Sequence, residues 1–355
     1  MKTRITSLLG TDYPVILASM AWITDAELAA AVSAAGGLGT IGPNAGMKHV
    51  TADVAETGER LREEIRKCRS LTDRPFAVNF VVGVAGFDRK FSDECVRIGV
   101  EEKVPVALVS QGSSLVYTPQ LKEAGMKVIH VCSTVRHAEK AEAAGVDAVV
   151  VSGTEGGGHS GFDQITTLCL VPQVADAVKI PVIAGGGIGD GRGIMAALSL
   201  GAEGVYMGTR FIATRECPAH QKAKEVILEA GDTSTIALRH GKPAVASGVS
   251  SGDRGFVEER RGSIRLVVND YLRRMMVRSD LSYDELFATA ESNDAGGSSN
   301  RTIDSFIWGN LENTTISAGQ VAGLIRDLPT CRELIERMVK EADATLERLQ
   351  EMRSR

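Results

Sequence analysis

Short apolar runs punctuate this chain, each ending in small or polar residues and each followed by a longer amphipathic stretch. Residues 13–17, 38–41, 75–82, 104–109, 127–132, 147–151, 181–184 and 205–207 read as buried strands, being β-rich, almost continuously apolar and bounded by turn residues. Between them the spacing predicts helices. One is capped by Thr24, with Glu27 completing a capping box, and runs to Ala35. Others cover residues 50–70, 92–102, 119–124, 134–144 and 191–200. One junction recurs: a helix ends in Ala-Gly or Leu-Gly, at Ala35-Gly36, Ala124-Gly125, Ala144-Gly145 and Leu200-Gly201, and an apolar strand follows.

Eight strands alternating with helices imply a parallel sheet, and eight such units imply closure into a (β/α)8 TIM barrel. An open, doubly wound sheet is the competing architecture. Gly156 to Gly161 matches the dinucleotide fingerprint G-x-G-x-x-G, but the match follows the sixth strand and no clear helix opens within it, so it is weak. After Phe211 the pattern breaks. Residues 216–309 are richer in Arg, Ser, Gly and Asp, with helical pieces at 220–230 and 264–277 and a glycine-serine run at 292–300. This segment reads as a small, mostly helical cap inserted before the last barrel helix at 317–325. A charged closing helix follows at 329–352. The expected division is a barrel over 1–215, the cap over 216–309, and the last barrel and closing helices over 310–355.

Composition narrows the field. A chain of 355 residues that is 43% hydrophobic can bury a large core. A formal net charge of −5 gives no basic footprint for nucleic acid. No apolar run approaches the roughly 18 residues that span a bilayer, and the first ten residues lack a signal peptide's apolar core. The six cysteines are scattered, with no Cys-x-x-Cys pair and no histidines at zinc spacing, so the expectation is a reduced, cytoplasmic setting and no metal. A small-molecule substrate is the expected partner, and a homodimer is one possible assembly.

The chemistry centres on residues 180–211, where two consecutive strands end bare: Gly185-Gly-Gly187 after one, Gly208-Thr209 after the next. Without Cβ atoms a ligand or another backbone can approach closely, and free N–H groups at such ends suit a phosphate. In an eight-stranded barrel these are the usual phosphate-binding loops. Tight turns alone would also call for glycines. The barrel would gather Ser19, Met20, Asn79, Ser110, Gln111, residues 153–159, 185–187 and 207–209 around one mouth. That set is poor in acids and rich in glycine, amide and hydroxyl groups. His159, flanked by glycines, is the candidate for proton exchange near neutral pH; a solvated loop histidine is the alternative. His130 and His137 read as structural or surface residues; Glu155 is a candidate acid/base group, with an ion-pair or exposed position as the favoured reading.

Ile16-Leu-Ala-Ser-Met-Ala-Trp22, Ala35-Gly-Gly-Leu-Gly39, Arg74-Pro-Phe-Ala-Val-Asn79, Glu155-Gly-Gly-Gly-His-Ser-Gly161, Gly185-Gly-Gly-Ile-Gly-Asp-Gly191, Met207-Gly-Thr-Arg-Phe211 and Ser317-Ala-Gly-Gln-Val-Ala-Gly323 resemble the nitronate monooxygenase (2-nitropropane dioxygenase) family. That family includes NADH:quinone reductases and is similar to flavin-dependent enoyl-acyl carrier protein reductases. The resemblance covers nearly the whole chain outside the cap. It implies an FMN-binding barrel in which Ala18, Ser19 and Met20 line the isoalloxazine and Asn79 bonds the ring or ribityl chain. Gly157 and Gly158 would lie near the flavin, Gly186, Gly187, Gly208 and Thr209 would hold the phosphate, and His159 would face the substrate. Many relatives carry Gln-Gly-Gly-Met where this chain has Leu17-Ala18-Ser19-Met20. The implied activity is oxidation of alkyl nitronates with oxygen. The alternative is an NADH- or NADPH-fed reductase of a quinone or an enoyl thioester. A barrel that merely binds a phosphate ligand is a third reading.

Overall fold

Eight parallel strands form the barrel in the computed structural model, which describes residues 1–83, 89–240, 262–278 and 302–354. They are β1 (Val15–Leu17), β2 (Gly39–Ile41), β3 (Phe76–Val81), β4 (Val106–Ser110), β5 (Lys127–Cys132), β6 (Ala148–Ser152) and, past a short β7 (Gly158–Ser160) outside the barrel, β8 (Val182–Gly185) and β9 (Gly204–Met207). Each pairs with its neighbour from β2 round to β9, and β9 pairs with β1. The ring closes at an Ile16–Leu38 bridge, where Leu17 N donates to Leu38 O and Leu38 N to Val15 O, both at 2.9 Å.

Side chains alternate across each strand, so one set fills the barrel and the other meets the helices. Ile16, Leu38, Ala77, Ile129, Val150 and Ile183 form the inner cluster. Helix α1 (Arg4–Leu9) stoppers its amino-terminal end, inserting Ile5 and Leu9. Outside the strands lie α2 (Ala26–Ala34), α3 (Val54–Leu71), α4 (Lys90–Glu101), α5 (Thr118–Glu123), α6 (Val135–Ala143), α7 (Thr167–Ala177) and α8 (Gly191–Ser199). The C-terminal helix Cys331–Ser354 packs against α8 so closely that a Cβ on Gly191 would stand 2.3 Å from Ala342 N.

Several local expectations change. The cap of α2 is Asp25, whose side chain accepts from Leu28 N. Thr24 is wholly buried and its hydroxyl is taken by the turn after β1, accepting from Met20 N at 3.1 Å and bonding Met20 O at 3.0 Å. Helix α7 forms even though Pro172 lies inside it. The stretch 264–277 is helical only over α11 (Asp270–Met276), which follows α9 (Thr209–Ile212) and α10 (Gln221–Leu228) in the chain. Its first part belongs to β11 (Gly262–Val267), which pairs antiparallel with β10 (Thr235–His240). The stretch 317–325 is helical only as a 3₁₀ turn over Gln320–Leu324, and Ser317 belongs to β12 (Ile316–Ser317). Two glycines in that stretch weaken a longer helix. The glycine-serine run at 292–300 lies outside the described residues. Among the described residues no helix is long and apolar enough to cross a membrane.

Candidate active site

The glycine-bearing ends of β8 and β9 lie side by side. After β8 the chain takes the left-handed conformation twice, at Gly186 (φ 94°) and Gly187 (φ 73°), which side chains adopt only under strain. A Cβ on Gly186 would also stand 3.0 Å from Gly153 O and 2.9 Å from Thr167 Oγ1, so what approaches this glycine here is the backbone after β6. Gly208 differs. Its φ is −107°, and a Cβ there would meet only Met20 Sδ at 3.3 Å and Ala18 Cβ at 3.4 Å. Thr209 opens α9, is buried, and its hydroxyl accepts a 2.9 Å bond from Gly319 N. One residue on, the buried Arg210 bonds Asp327 Oδ1 and Asp327 O, each at 3.0 Å. The segment returning from the insertion is thus clasped to the loop after β9.

The loop after β6 is fixed by the same segment. Gln320 N donates to Glu155 O at 2.9 Å, and a Cβ on Gly157 would collide with Ala318 and Gly319 at 2.6 Å. The Glu155 carboxylate is half-buried and makes no direct ion pair among the described residues: it accepts from Thr167 N at 2.9 Å, at the positive end of α7. Gly158, with φ 72°, turns the chain into β7, which pairs with β11 so that His159 sits opposite Ile264. His159 is exposed. Opposite Gly158 the buried Arg265 donates to Thr154 O at 2.7 Å; burial lowers its proton affinity and nearby Glu155 offsets that. Sequence reading gave this mouth no cation, and Arg265 supplies one.

Across the mouth, Asn79 shares the inward parity of Ala77 and is buried. Its amide nitrogen donates to Leu108 O at 2.9 Å and to Ser110 Oγ at 3.1 Å, and Ser110 donates back to Oδ1 at 3.2 Å. One Oδ1 lone pair is left for a ligand. His130 is buried on β5, and burial, then the nearby His137, pull its pKa down to about 4. That is the setting of a structural histidine. Ala18, Ser19 and Met20 follow β1 directly, beside Gly208. The structure therefore brings Ala18, Ser19, Met20, Gly186, Gly187, Gly208 and Thr209 to adjoining strand ends. It sets Gly157, Gly158 and His159 on the loop above, and Asn79 on the opposite wall.

A family model for nitronate monooxygenase matches residues 2–341. The chain belongs to the nitronate monooxygenase family. Membership makes it an oxidoreductase, and a flavin is the cofactor that the family implies. It is 34% identical to the (3aS,4S,5R,7aS)-5-hydroxy-7a-methyl-1-oxo-octahydro-1H-indene-4-carboxyl-CoA dehydrogenase of Mycobacterium tuberculosis, over 96% of each chain. It is 36% identical to a probable nitronate monooxygenase of Staphylococcus saprophyticus, over 69% of this chain and 78% of that one. Among solved structures, FabK from Thermotoga maritima superposes with a TM-score of 0.79 at 34% identity, covering 99% of each chain.

The adjoining glycine-bearing ends of β8 and β9, with little side chain near Gly208, suit the phosphate of the family's cofactor. A cavity of about 330 Å³ opens against Gly186 and Gly187 on the side of α7 and α8, where Leu168, Ala196, Ala197 and Leu200 line it; residues 18–20, 79, 157–159, 208 and 209 do not. The nearby acid, Glu155, is held by Thr167 at the start of α7. A larger cavity of about 680 Å³, between α10, the end of β11 and α11, touches none of the glycine loops. Its size does not make it the site, because none of the glycine-bearing strand ends lines it. Sequence reading missed Gly319, Gln320 and Arg265 as parts of this mouth. The Ser317-Ala-Gly-Gln motif was the visible signal for the first two; nothing local marks Arg265.

Proposed function

We propose that this family member is an FMN-dependent oxidoreductase acting on an acyl thioester of the coenzyme A class, with His159 facing the substrate. The observation that carries this reading is the β7–β11 pairing: the strand bearing His159 is hydrogen-bonded into the segment inserted after the barrel. In the division adopted here, 1–215 form the barrel, 216–309 the cap and 310–355 the closing elements. Such a cap would offer contacts to the long polar arm of a coenzyme A thioester. The full-length similarity to a carboxyl-CoA dehydrogenase supports the same reading.

When bound, FMN would supply two-electron chemistry. The chain's own residues do the rest. Backbone N–H groups at Gly186, Gly187, Gly208 and Thr209 would hold the phosphate. Ala18, Ser19, Met20 and Asn79 would border the ring, with Gly157 and Gly158 close by. His159 would donate a hydrogen bond or a proton to the thioester oxygen and steady charge that develops there. A reductase direction would draw on NADH or NADPH. The second reading, oxidation of a nitronate by oxygen, is favoured by the family description and the staphylococcal relative.

The test is anaerobic stopped-flow of the FMN-loaded protein. If the reading is right, NADH or NADPH bleaches the flavin and an enoyl-CoA restores its colour. Bleaching by a nitronate alone would select the second reading, and a protein that takes up no FMN would refute both.

A further inference from the structure

The ladder between β1 and β9 ends at Leu17–Met207, with one last bond from Ala18 N to Met207 O at 2.8 Å. Ser19 N–H lies one residue past that bond. Its partner is a side chain: it donates at 2.8 Å to the phenol oxygen of Tyr206, on the neighbouring strand β9. An N–H in a partly buried turn is costly to leave unpaired, so this bond decides how the turn after β1 leaves the barrel.

Three further contacts make the junction a brace. The Tyr206 ring, half-buried, packs on the inner cluster. It lies beside the first of the three mouth glycines, where a Cβ on Gly185 would stand 3.4 Å from the ring. Two residues on, Gly208 adjoins Ala18 and Met20. Burial raises the phenol's pKa above the ordinary tyrosine range, so the group stays protonated at working pH. Its oxygen accepts from Ser19, which leaves its own O–H as a donor at the floor of the mouth.

We infer that Tyr206 is a positioning residue, whose hydroxyl fixes the Ala18, Ser19 and Met20 strip and adds one uncharged donor to the surface on which the cofactor ring would lie. The inference rests on the reading that FMN occupies this mouth.

The experiment compares wild-type and Tyr206→Phe full-length protein by thermal melting, FMN titration followed by flavin fluorescence, and the visible spectrum of the bound flavin. Tyr206→Phe is expected to fold, to bind FMN about tenfold more weakly, and to shift the flavin bands. Unchanged affinity together with an unchanged spectrum would overturn the inference. Wild-type protein that binds no FMN would overturn the flavin reading itself, and the inference with it. If Tyr206→Phe does not fold, amide exchange over residues 18–20 is measured in wild type and Tyr206→Gln. Slow exchange in wild type that Tyr206→Gln loses supports the brace; slow exchange that Tyr206→Gln keeps, or fast exchange in wild type, refutes it.

Discussion

The two sides of the barrel are built to different ends. From β3 to β6 the strands run five or six residues, and the inward Asn79 and Ser110 bond each other across neighbouring strands. From β8 through β9 to β1 they run three or four, and they stop at Gly185-Gly-Gly187, Gly208 and Ala18. Backbone groups that the long side uses in its ladder are, on the short side, left at strand ends or held by a borrowed side chain, as Ser19 N is by Tyr206. The comparison teaches that the short side exchanges ladder length for a surface of backbone, which is the surface a phosphate-bearing ligand needs.

That contrast can be broken deliberately. The largest effect is expected from Gly208→Val. Its Cβ can be accommodated by a small shift of Met20, yet the added methyls block the approach of a ligand to the N–H groups that start α9. The variant should melt near wild type and purify colourless, with FMN affinity reduced on the order of 100-fold, about two lost hydrogen bonds to a charged group. Gly186→Val is a less clean probe, because its left-handed backbone and the nearby Gly153 make it a folding test as well. His159→Ala should keep its flavin and lose on the order of 100-fold in turnover. His159→Asn then separates donor from base: rescue by Asn means that a hydrogen bond suffices, and unchanged kinetics in His159→Ala would remove the residue from the site.

On the long side the signature reverses. Ile129→Ala, in the inner cluster at 0% exposure, should cost about 2–5 kcal/mol of stability, seen as a lowered melting temperature, while FMN stoichiometry holds. The smallest effect is expected at the Asp25 cap. Burial raises its carboxyl to about 6, against an ordinary value of 3.8. Between those values the folded state binds more protons than the unfolded one, so this group's contribution to stability falls as pH rises from 3.8 to 6. Asp25→Asn keeps an acceptor for Leu28 N and should remove that part of the slope, measured as melting temperature against pH.

The barrel was legible in the sequence because buried parallel strands read as unbroken apolar runs, four of them announced by a glycine that stops the preceding helix; residues 127–132 match β5 to the residue. The glycine loops were legible for the same reason, as bare ends of such runs. What was not legible depends on partners far along the chain. Ser19 meets Tyr206 across 187 positions and Thr209 meets Gly319 across 110, and no local pattern encodes either. Thr24 and Asp25 are both good capping residues, and burial of Thr24 against Met20 decides between them. Helix α7 was hidden by Pro172, and β7 by the glycines around it.

The most direct measurement is amide hydrogen exchange of the full chain with and without FMN. The account predicts that FMN slows exchange over residues 18–20, 153–159, 185–188 and 207–210, together with the clasping segment 317–320, and leaves the ladder of β4 and β5 unchanged. Protection centred on β4 and β5, or on the 680 Å³ cavity beside α11, with none at the glycine loops, would contradict it.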